Sequence, residues 1–226
     1  MQGLIKAELI GCTKPTGKLL DTDIKDVKDL IAYCARVSNP SNQYNTKTAD
    51  KLIKYLIANL HWSPLEMASC TLEIECPRDI ARQLLRHRSF SFQEFSGRYA
   101  DATKELSFVI RECRLQDTKN RQNSLETTNS ELSTKWYKMQ EDCIKASLKA
   151  YQWATENGIA KEQARCVLPE GNTMSRLYVQ GTIRSWLHYI QVRTHESTQK
   201  EHQVLAKEVA KAIAEVFSLD LKEQKE

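Results

Sequence analysis

The segment from residue 67 to 76 constrains the fold most, because its side chains alternate strictly between two kinds. Small or apolar residues stand at every second position, with polar residues between them: Ala68, Cys70, Leu72, Ile74 and Cys76 alternate with Ser69, Thr71, Glu73 and Glu75. Successive side chains of a strand point to opposite faces, so the pattern predicts a strand with one buried and one polar face. An antiparallel sheet covered on one side fits such a strand.

Spacing elsewhere in the chain predicts two further strands and a majority of helices. Alternation predicts strands over 3–11 and 105–112. Apolar residues three and four apart predict helices over 22–36, 47–60, 77–88, 132–158, 159–167, 173–195 and 197–217. The polar segment 113–131 predicts a loop, and 221–226 a frayed end. No linker divides these elements, so we expect an α+β fold in a single domain over 1–226, with an antiparallel sheet packed against a helical majority.

Composition is that of an ordinary globular protein, with 41% hydrophobic and 27% charged residues among 226. No apolar run approaches the roughly 20 residues that span a bilayer, and the first residues lack the plan of a signal peptide. We therefore expect a cytoplasmic protein with no membrane partner. Seven cysteines without a CxxC pair argue against a disulfide framework or a structural zinc site, and favour buried thiols.

Arginines are concentrated between residues 78 and 98. Arg78, Arg82 and Arg86 are four residues apart, which predicts one stripe on the helix that Pro77 begins. Arginine offers a planar fork of donors that fits phosphate oxygens, and the loop at 96–98 adds a serine hydroxyl and a glycine. The cluster predicts an anion site. A solvated basic face and a nucleic-acid-binding surface are the alternatives, although a net charge of +4 does not demand nucleic acid.

A second polar pattern lies in the predicted helix 173–195. Its members are spaced by threes and fours and fall on one face: Gln180, Arg184, His188, Gln191 and His195. Such a face is ordinarily the solvated side of a helix, but this one lacks lysine and glutamate and offers donors suited to carbonyls, phosphates and ring nitrogens. His188 and His195 are seven residues apart, too far for a metal pair on one helix, so we predict no metal.

The residues from Arg86 to Arg98 match a specific signature. Arg86-His87-Arg88, seven residues, Ser96, one residue and Arg98 form the pattern R-H-R-x7-S-x-R, which resembles that of the flavin-dependent thymidylate synthases. Flanking segments resemble the same family in order: 35–38, 61–66, 164–169 and 184–193. The resemblance covers roughly residues 35 to 205.

The resemblance implies a reaction and an assembly. It implies methylation of dUMP to dTMP, with 5,10-methylenetetrahydrofolate as carbon donor, NADPH as reductant, FAD as bound cofactor and tetrahydrofolate as the second product. It also implies the family's α+β fold and a homotetramer with active sites at subunit interfaces.

Site residues carry over from the family by position. For FAD, the resemblance implies Ser38, Ser63, Glu66, Arg86, His87, Arg88, Glu94, Thr182, Ile183, Arg184 and His188. For dUMP, it implies Arg82, Gln83, Leu84, Leu85, Arg86, Glu94, Phe95, Ser96, Gly97, Arg98, Arg165 and Arg193. His61 is expected on the folate side of the flavin, and Arg193 is expected to be catalytic. A guanidinium at the N3 and O4 side of uracil stabilises the charge that builds there, and one such donor is worth about 3 kcal/mol.

Three points weigh on this interpretation. Thr182 stands where the family usually has asparagine, which puts one flavin contact in question. A thymidylate synthase with a cysteine nucleophile is the competing enzyme, but no cysteine here has the Pro-Cys-His context of that family. A non-catalytic nucleic-acid-binding protein is the competing class, and it predicts colourless protein whose binding depends steeply on salt.

Overall fold

A four-stranded antiparallel sheet forms the centre of the computed structural model, which describes residues 3–217. Its strands are β1 (Lys6–Cys12), β2 (Ser69–Pro77), β3 (Ser91–Glu94) and β6 (Met174–Thr182), in the order β1-β2-β6-β3. The strand predicted over 67–76 is β2, and its alternation is confirmed because its residues are buried and half-buried in turn. The predicted α+β fold is therefore confirmed.

Helices form much of the rest of the described chain, and their bounds agree with most of the predicted ones. They are α1 (Val27–Ala35), α2 (Ala49–Ala58), α3 (Arg78–Leu84), α4 (Ala102–Glu105), α5 (Ser130–Glu156), α6 (Lys161–Ala164), α7 (Ile183–Arg193) and α8 (Lys200–Ala214). Helix α1 begins later than predicted because Asp26 caps it, accepting a hydrogen bond from the backbone N–H of Asp29 at 2.9 Å. Helix α3 ends at Leu84 rather than 88, so Arg86 does not continue a helical stripe with Arg78 and Arg82.

Three of the sequence predictions were wrong. The helix predicted over 173–195 is a strand, β6, followed by α7, so Gln180 lies on a strand and not on the polar face of a helix. The strand predicted over 105–112 is an irregular segment after α4 with a single bridge between Phe108 and Thr173. The predicted loop 113–131 contains a hairpin of β4 (Arg114–Gln116) and β5 (Ser124–Glu126). The predicted frayed end, 221–226, lies outside the described residues.

The main hydrophobic core lies on one face of the sheet. Helix α8 packs against β1 and β2, and α7 packs against α8. Leu72, Ile74, Leu177 and Val179 of the two central strands are fully buried there. Nowhere between residues 3 and 217 is a helix both long and apolar enough to cross a bilayer.

Helix α5 has a row of apolar side chains, its apolar stripe, on the surface of the protein. The members of this stripe, which predicted the helix, are all exposed: Leu132, Trp136, Met139, Cys143, Ala146, Ala150 and Trp153. The buried residues of α5 are Gln140, Tyr151 and Ala154 instead, and Oε1 of Gln140 accepts from the backbone N–H of Arg111 at 2.8 Å. A row of exposed apolar residues on one helix is typical of an interaction surface.

Candidate active site

The junction between β6 and α7 positions the first group of candidate residues. Thr182 is the N-cap of α7, and its hydroxyl accepts a hydrogen bond from the backbone N–H of Ser185 at 3.2 Å. The indole of Trp186, one turn into the helix, is fully buried and donates to the carbonyl of Cys70 on β2 at 3.2 Å. These bonds fix the first turns of α7 against the sheet, and with them Arg184 and His188.

The turn that holds Arg86, His87 and Arg88 follows directly on α3. Two backbone bonds close it: the N–H of His87 donates to Leu84 at 3.0 Å, and that of Phe90 donates to His87 at 3.3 Å. The ring of Phe90 then lies against Trp186, with centroids 4.4 Å apart. It also covers Gly181 so closely that a Cβ there would lie 2.2 Å from the ring. The absence of a side chain at residue 181 is therefore what lets this turn dock on the β6–α7 junction.

A hydrogen bond joins the turn to the far end of α7. The Nε of Arg193 donates to Nε2 of His87 at 2.9 Å. Burial first, and then the charges of Arg193 and His188, lower the pKa of His87 to about 4. His87 is therefore neutral near pH 7, with Nε2 as an acceptor, and the remaining donors of the Arg193 guanidinium stay available for a ligand.

A cleft of ≈ 370 Å³ runs beside α7, and three predicted flavin residues meet in its wall. Glu66, Arg184 and His188 line it, and Glu66 pairs with Arg184. Four further lining residues were not in the predicted set: Trp62, Ser89, Ser185 and Gln191. Gln191 belongs to the polar face noted in the sequence, whereas the other three could be placed only once the turn and the helix were seen together.

A second cleft, of ≈ 350 Å³, gathers part of the predicted nucleotide group. Gly97 and Arg165 line it together with Arg78 and Glu162. Nε of Arg98 donates to Oε2 of Glu162 at 3.2 Å. Nε of Arg165 donates to the backbone carbonyl of Glu162 at 3.3 Å. Glu162 therefore holds both Arg98 and Arg165 within the chain.

Arg82 is likewise paired with acidic residues on both sides. Its Nη2 donates to both carboxylate oxygens of Glu94 at 3.0 Å, and Glu170 lies 3.6 Å from its Nε. Glu94 also accepts from the hydroxyl of Ser175 at 2.8 Å. The basic cluster is therefore not one open cationic stripe, which argues against the nucleic-acid alternative.

Several predicted residues lie apart from the two clefts or face away from them. Ser38 and His61 are exposed and do not line either cleft. The side chains of Leu84 and Ile183 are fully buried in the core, so only their main chain can reach a ligand. The hydroxyl of Thr182 is engaged as the helix cap.

Two predicted arginines have no partner of their own. The guanidinium groups of Arg86 and Arg88 make no hydrogen bond or ion pair within residues 3–217. Both side chains are exposed. Both are therefore free to pair with an anionic ligand.

Residues of α8 that the sequence did not single out lie behind Gln83. Glu201 and His202 are fully buried, and His202 contacts the amide of Gln83. The sequence already indicated that these two polar residues are buried, because both fall on the apolar face of α8 with Leu205 and Val209. A charged residue on such a face is rarely fully buried unless it is paired.

The cysteines do not offer a nucleophile at the core of the sheet. Burial raises the pKa of Cys70 to about 12, and it raises that of Cys76 still further. A thiol so far from ionisation is inert. Within residues 3–217, no three side chains of histidine, cysteine, aspartate or glutamate are grouped as a metal site would need.

The comparisons with known proteins agree with this geometry. The family model described as thymidylate synthase complementing protein matches residues 18–217. The chain belongs to the Thy1 family. Among Thy1 relatives, a probable flavin-dependent thymidylate synthase of Paramecium bursaria Chlorella virus 1 is 47% identical over 213 residues, 94% of each chain. A flavin-dependent thymidylate synthase of Synechocystis is 46% identical over 209 residues, 92% of each.

A solved structure extends the Thy1 likeness to the fold. It is a UMP/dUMP methylase of Streptomyces cacaoi bound with 5-Br dUMP, which superimposes with a TM-score of 0.74 at 25% identity. The match covers 94% of this chain and 90% of that one.

Proposed function

We propose that this Thy1 protein methylates dUMP to dTMP, with 5,10-methylenetetrahydrofolate as carbon donor, NADPH as reductant and FAD as bound cofactor. The relatives named flavin-dependent thymidylate synthase support the reaction and the flavin. The observation that carries the proposal is the 2.9 Å hydrogen bond between Arg193 and His87. It joins the residue expected to activate uracil to the histidine of the R-H-R-x7-S-x-R motif.

The residues at the first cleft fit a flavin dinucleotide. Its wall offers an arginine, a histidine, two serines and an indole, which suit ring nitrogens, carbonyls and an aromatic face. The unpartnered guanidinium groups of Arg86 and Arg88 suit a pyrophosphate, because each presents a fork of donors to phosphate oxygens. FAD, when bound, would supply the hydride-transfer chemistry that no side chain of the protein can provide.

Arg193 would act on the pyrimidine ring. Methylation at C5 requires electron density to move toward that carbon, and negative charge then builds at the N3 and O4 side. The bond to neutral His87 fixes one edge of the Arg193 guanidinium, so its other donors are held in place before charge develops. Ser96 would bind and not attack, since among residues 3–217 only the backbone N–H of Arg98 contacts its hydroxyl, at 3.4 Å, and no base there accepts its proton.

The predicted site residues are divided between two separate clefts, which fits a homotetramer with active sites at subunit interfaces. The cleft beside α7 and the cleft beside Arg165 share no lining residue. A nucleotide whose base faced Arg193 in one copy could place its phosphate on Arg98 and Arg165 of another. The exposed apolar stripe of α5, with Trp153 at 61% and Met139 at 69% exposure, offers a surface for that association. A single domain over 1–226 and a cytoplasmic location stay predictions.

The reaction and the flavin site are tested together on purified protein. We expect a visible flavin band after incubation with FAD, and dTMP by chromatography after addition of dUMP, methylenetetrahydrofolate and NADPH. Arg88→Ala is expected to weaken FAD retention, while Arg121→Ala, an exposed arginine of the β4–β5 turn, serves as the matched control. Unchanged FAD affinity in Arg88→Ala would contradict the assignment of that residue. Colourless protein without dTMP would contradict the function.

A further inference from the structure

A buried histidine behind the proposed nucleotide site takes no part in the reaction as derived above. His202 is 0% exposed. Its Nδ1 lies 3.1 Å from Oε1 of Gln83, and its Nε2 lies 3.1 Å from the hydroxyl of Tyr189. Tyr189 in turn packs edge-on against His87, with ring centroids 5.1 Å apart. His202 therefore contacts Gln83, a predicted dUMP residue, and through Tyr189 approaches the bond between His87 and Arg193.

A carboxylate on the same helix fixes the direction of the hydrogen bonds that reach Gln83. Glu201 accepts two bonds from Arg114, at 2.6 and 2.8 Å. Burial opposes its charge, but the bonds from Arg114 and Gln199 outweigh burial and lower the pKa of Glu201. As an ionised carboxylate it can only accept, so Nε2 of Gln199 must be the atom that donates to it, at 2.9 Å.

The donor and acceptor of each hydrogen bond from Gln199 to His202 follow from the same argument. With its nitrogen toward Glu201, Gln199 presents Oε1 to Gln83, and Nε2 of Gln83 donates to that oxygen at 2.7 Å. Oε1 of Gln83 then faces His202, so Nδ1 of His202 must carry the hydrogen and Nε2 accepts from Tyr189. Each hydrogen bond in this series, from Glu201 to Tyr189, therefore has a single allowed direction. The amide of Gln83 has a single allowed orientation.

The surroundings of His202 keep it in the required neutral state. Burial first, and then the charges of Arg193 and His87, lower the pKa of His202 to about 3. A protonated ring would carry a hydrogen on Nε2 as well, and Tyr189 would have to turn its hydroxyl away. Glu201, the nearest anion on α8, is already held by Arg114.

We propose that His202 is a positioning residue that locks the amide of Gln83 in one orientation and so makes the nucleotide site select uracil over cytosine. The proposal rests on the proposed function, which brings dUMP to Gln83. Bound by Gln199 at its nitrogen and by His202 at its oxygen, the amide of Gln83 keeps one N–H and one lone pair free. Uracil offers a carbonyl at C4 and an N–H at N3, and cytosine offers an amino group and a bare nitrogen there. A locked amide can match only one of these, whereas a free amide can turn over and match either.

The test measures the affinities of dUMP and dCMP on FAD-loaded protein by calorimetry. His202→Leu removes both bonds of the ring and keeps an apolar side chain in the core. We expect dUMP to bind about tenfold more weakly and the ratio of dUMP to dCMP affinity to narrow, with FAD affinity unchanged. His202→Asn keeps an N–H donor near the position of Nδ1, and is expected to recover most of the ratio.

A surface variant keeps the test decisive if His202→Leu does not fold. Gln199 is exposed, so Gln199→Ala leaves the core intact and still frees Nε2 of Gln83. It is expected to narrow the same ratio. An unchanged ratio in folded His202→Leu or in Gln199→Ala would overturn the positioning role, as would an equal loss of dUMP, dCMP and FAD affinity. Wild-type protein that binds neither FAD nor dUMP would instead overturn the proposed function.

Discussion

Replacing Gly181 with alanine tests how the turn of Arg86–Arg88 is docked on the sheet. The new Cβ would lie 2.2 Å from Cδ1 and 2.4 Å from Cε1 of Phe90. An ordinary contact begins near 3.4 Å, so the ring must retreat by 3.4 − 2.2, about 1.2 Å. Phe90 is only 7% exposed and is packed against Trp186, Tyr189 and His87, so little free space receives it.

The expected cost follows from that lack of space. Forcing a methyl group into a packed core costs about 1–3 kcal/mol. Since Phe90 and His87 belong to one turn, the shift also moves the acceptor of Arg193, and an ångström of misplacement can cost about a hundredfold in rate. We therefore expect Gly181→Ala to lower both the free energy of unfolding and the rate of dTMP formation.

The assay is urea unfolding at a single protomer concentration, because association would make stability depend on concentration. Gly171→Ala is the matched control, since a Cβ there has no neighbour within 4 Å and should change stability by less than about 0.5 kcal/mol. In a Phe90→Ala background the cost of Gly181→Ala should disappear, because the clashing ring is gone. A Gly181→Ala protein as stable as Gly171→Ala would refute the reasoning.

Three further changes probe the site. Arg193→Ala should keep FAD and lose roughly a hundredfold or more in dTMP formation, as for one lost oxyanion donor, and near-normal turnover would remove Arg193 from its role. Glu162→Gln frees Arg98 for phosphate, so dUMP should bind up to about fivefold tighter by calorimetry, and weaker binding would count against the pairing. The pKa values of His87 and His202 fall to about 4 and about 3 from an ordinary 6.5. Below pH 6.5 the unfolded chain therefore takes up protons that the folded chain refuses. Unfolding free energy should fall as pH drops from 6.5 toward 4, and a flat profile in urea titrations would contradict this.

The sequence predicted the parts of the fold whose burial pattern is local and regular. Strand β2 alternates over its whole length, and α5 and α8 repeat by threes and fours, so each was predicted from its own residues. Strand β6 was missed because the apolar band of Ile183, Leu187 and Ile190 in α7 extends in sequence back to Leu177, and only the pairing of β6 with β2, about a hundred residues earlier, shows that this part is extended. A strand that runs directly into a helix, as β6 does into α7, is hard to separate from that helix by local pattern alone.

The candidate site divides in the same way. The motif from Arg86 to Arg98 and the residues Arg184, His188 and Arg193 could be predicted as one set, and the cleft and the His87–Arg193 bond bring several of them together. The role of His202 of α8 could not be predicted, because it depends on a contact with Gln83, which lies 119 residues earlier in the sequence. Nor could the exposure of the α5 stripe, since its spacing fits a core as well as an interface.

The release of the C5 hydrogen of dUMP tests the central claim most directly, because methylation at that carbon must expel it. With tritium at C5, wild-type protein supplied with FAD, NADPH and methylenetetrahydrofolate should release tritium to water in step with dTMP formation. Arg193→Ala with its flavin bound should release little. Wild-type protein that holds flavin and dUMP yet leaves the label in place would contradict the account.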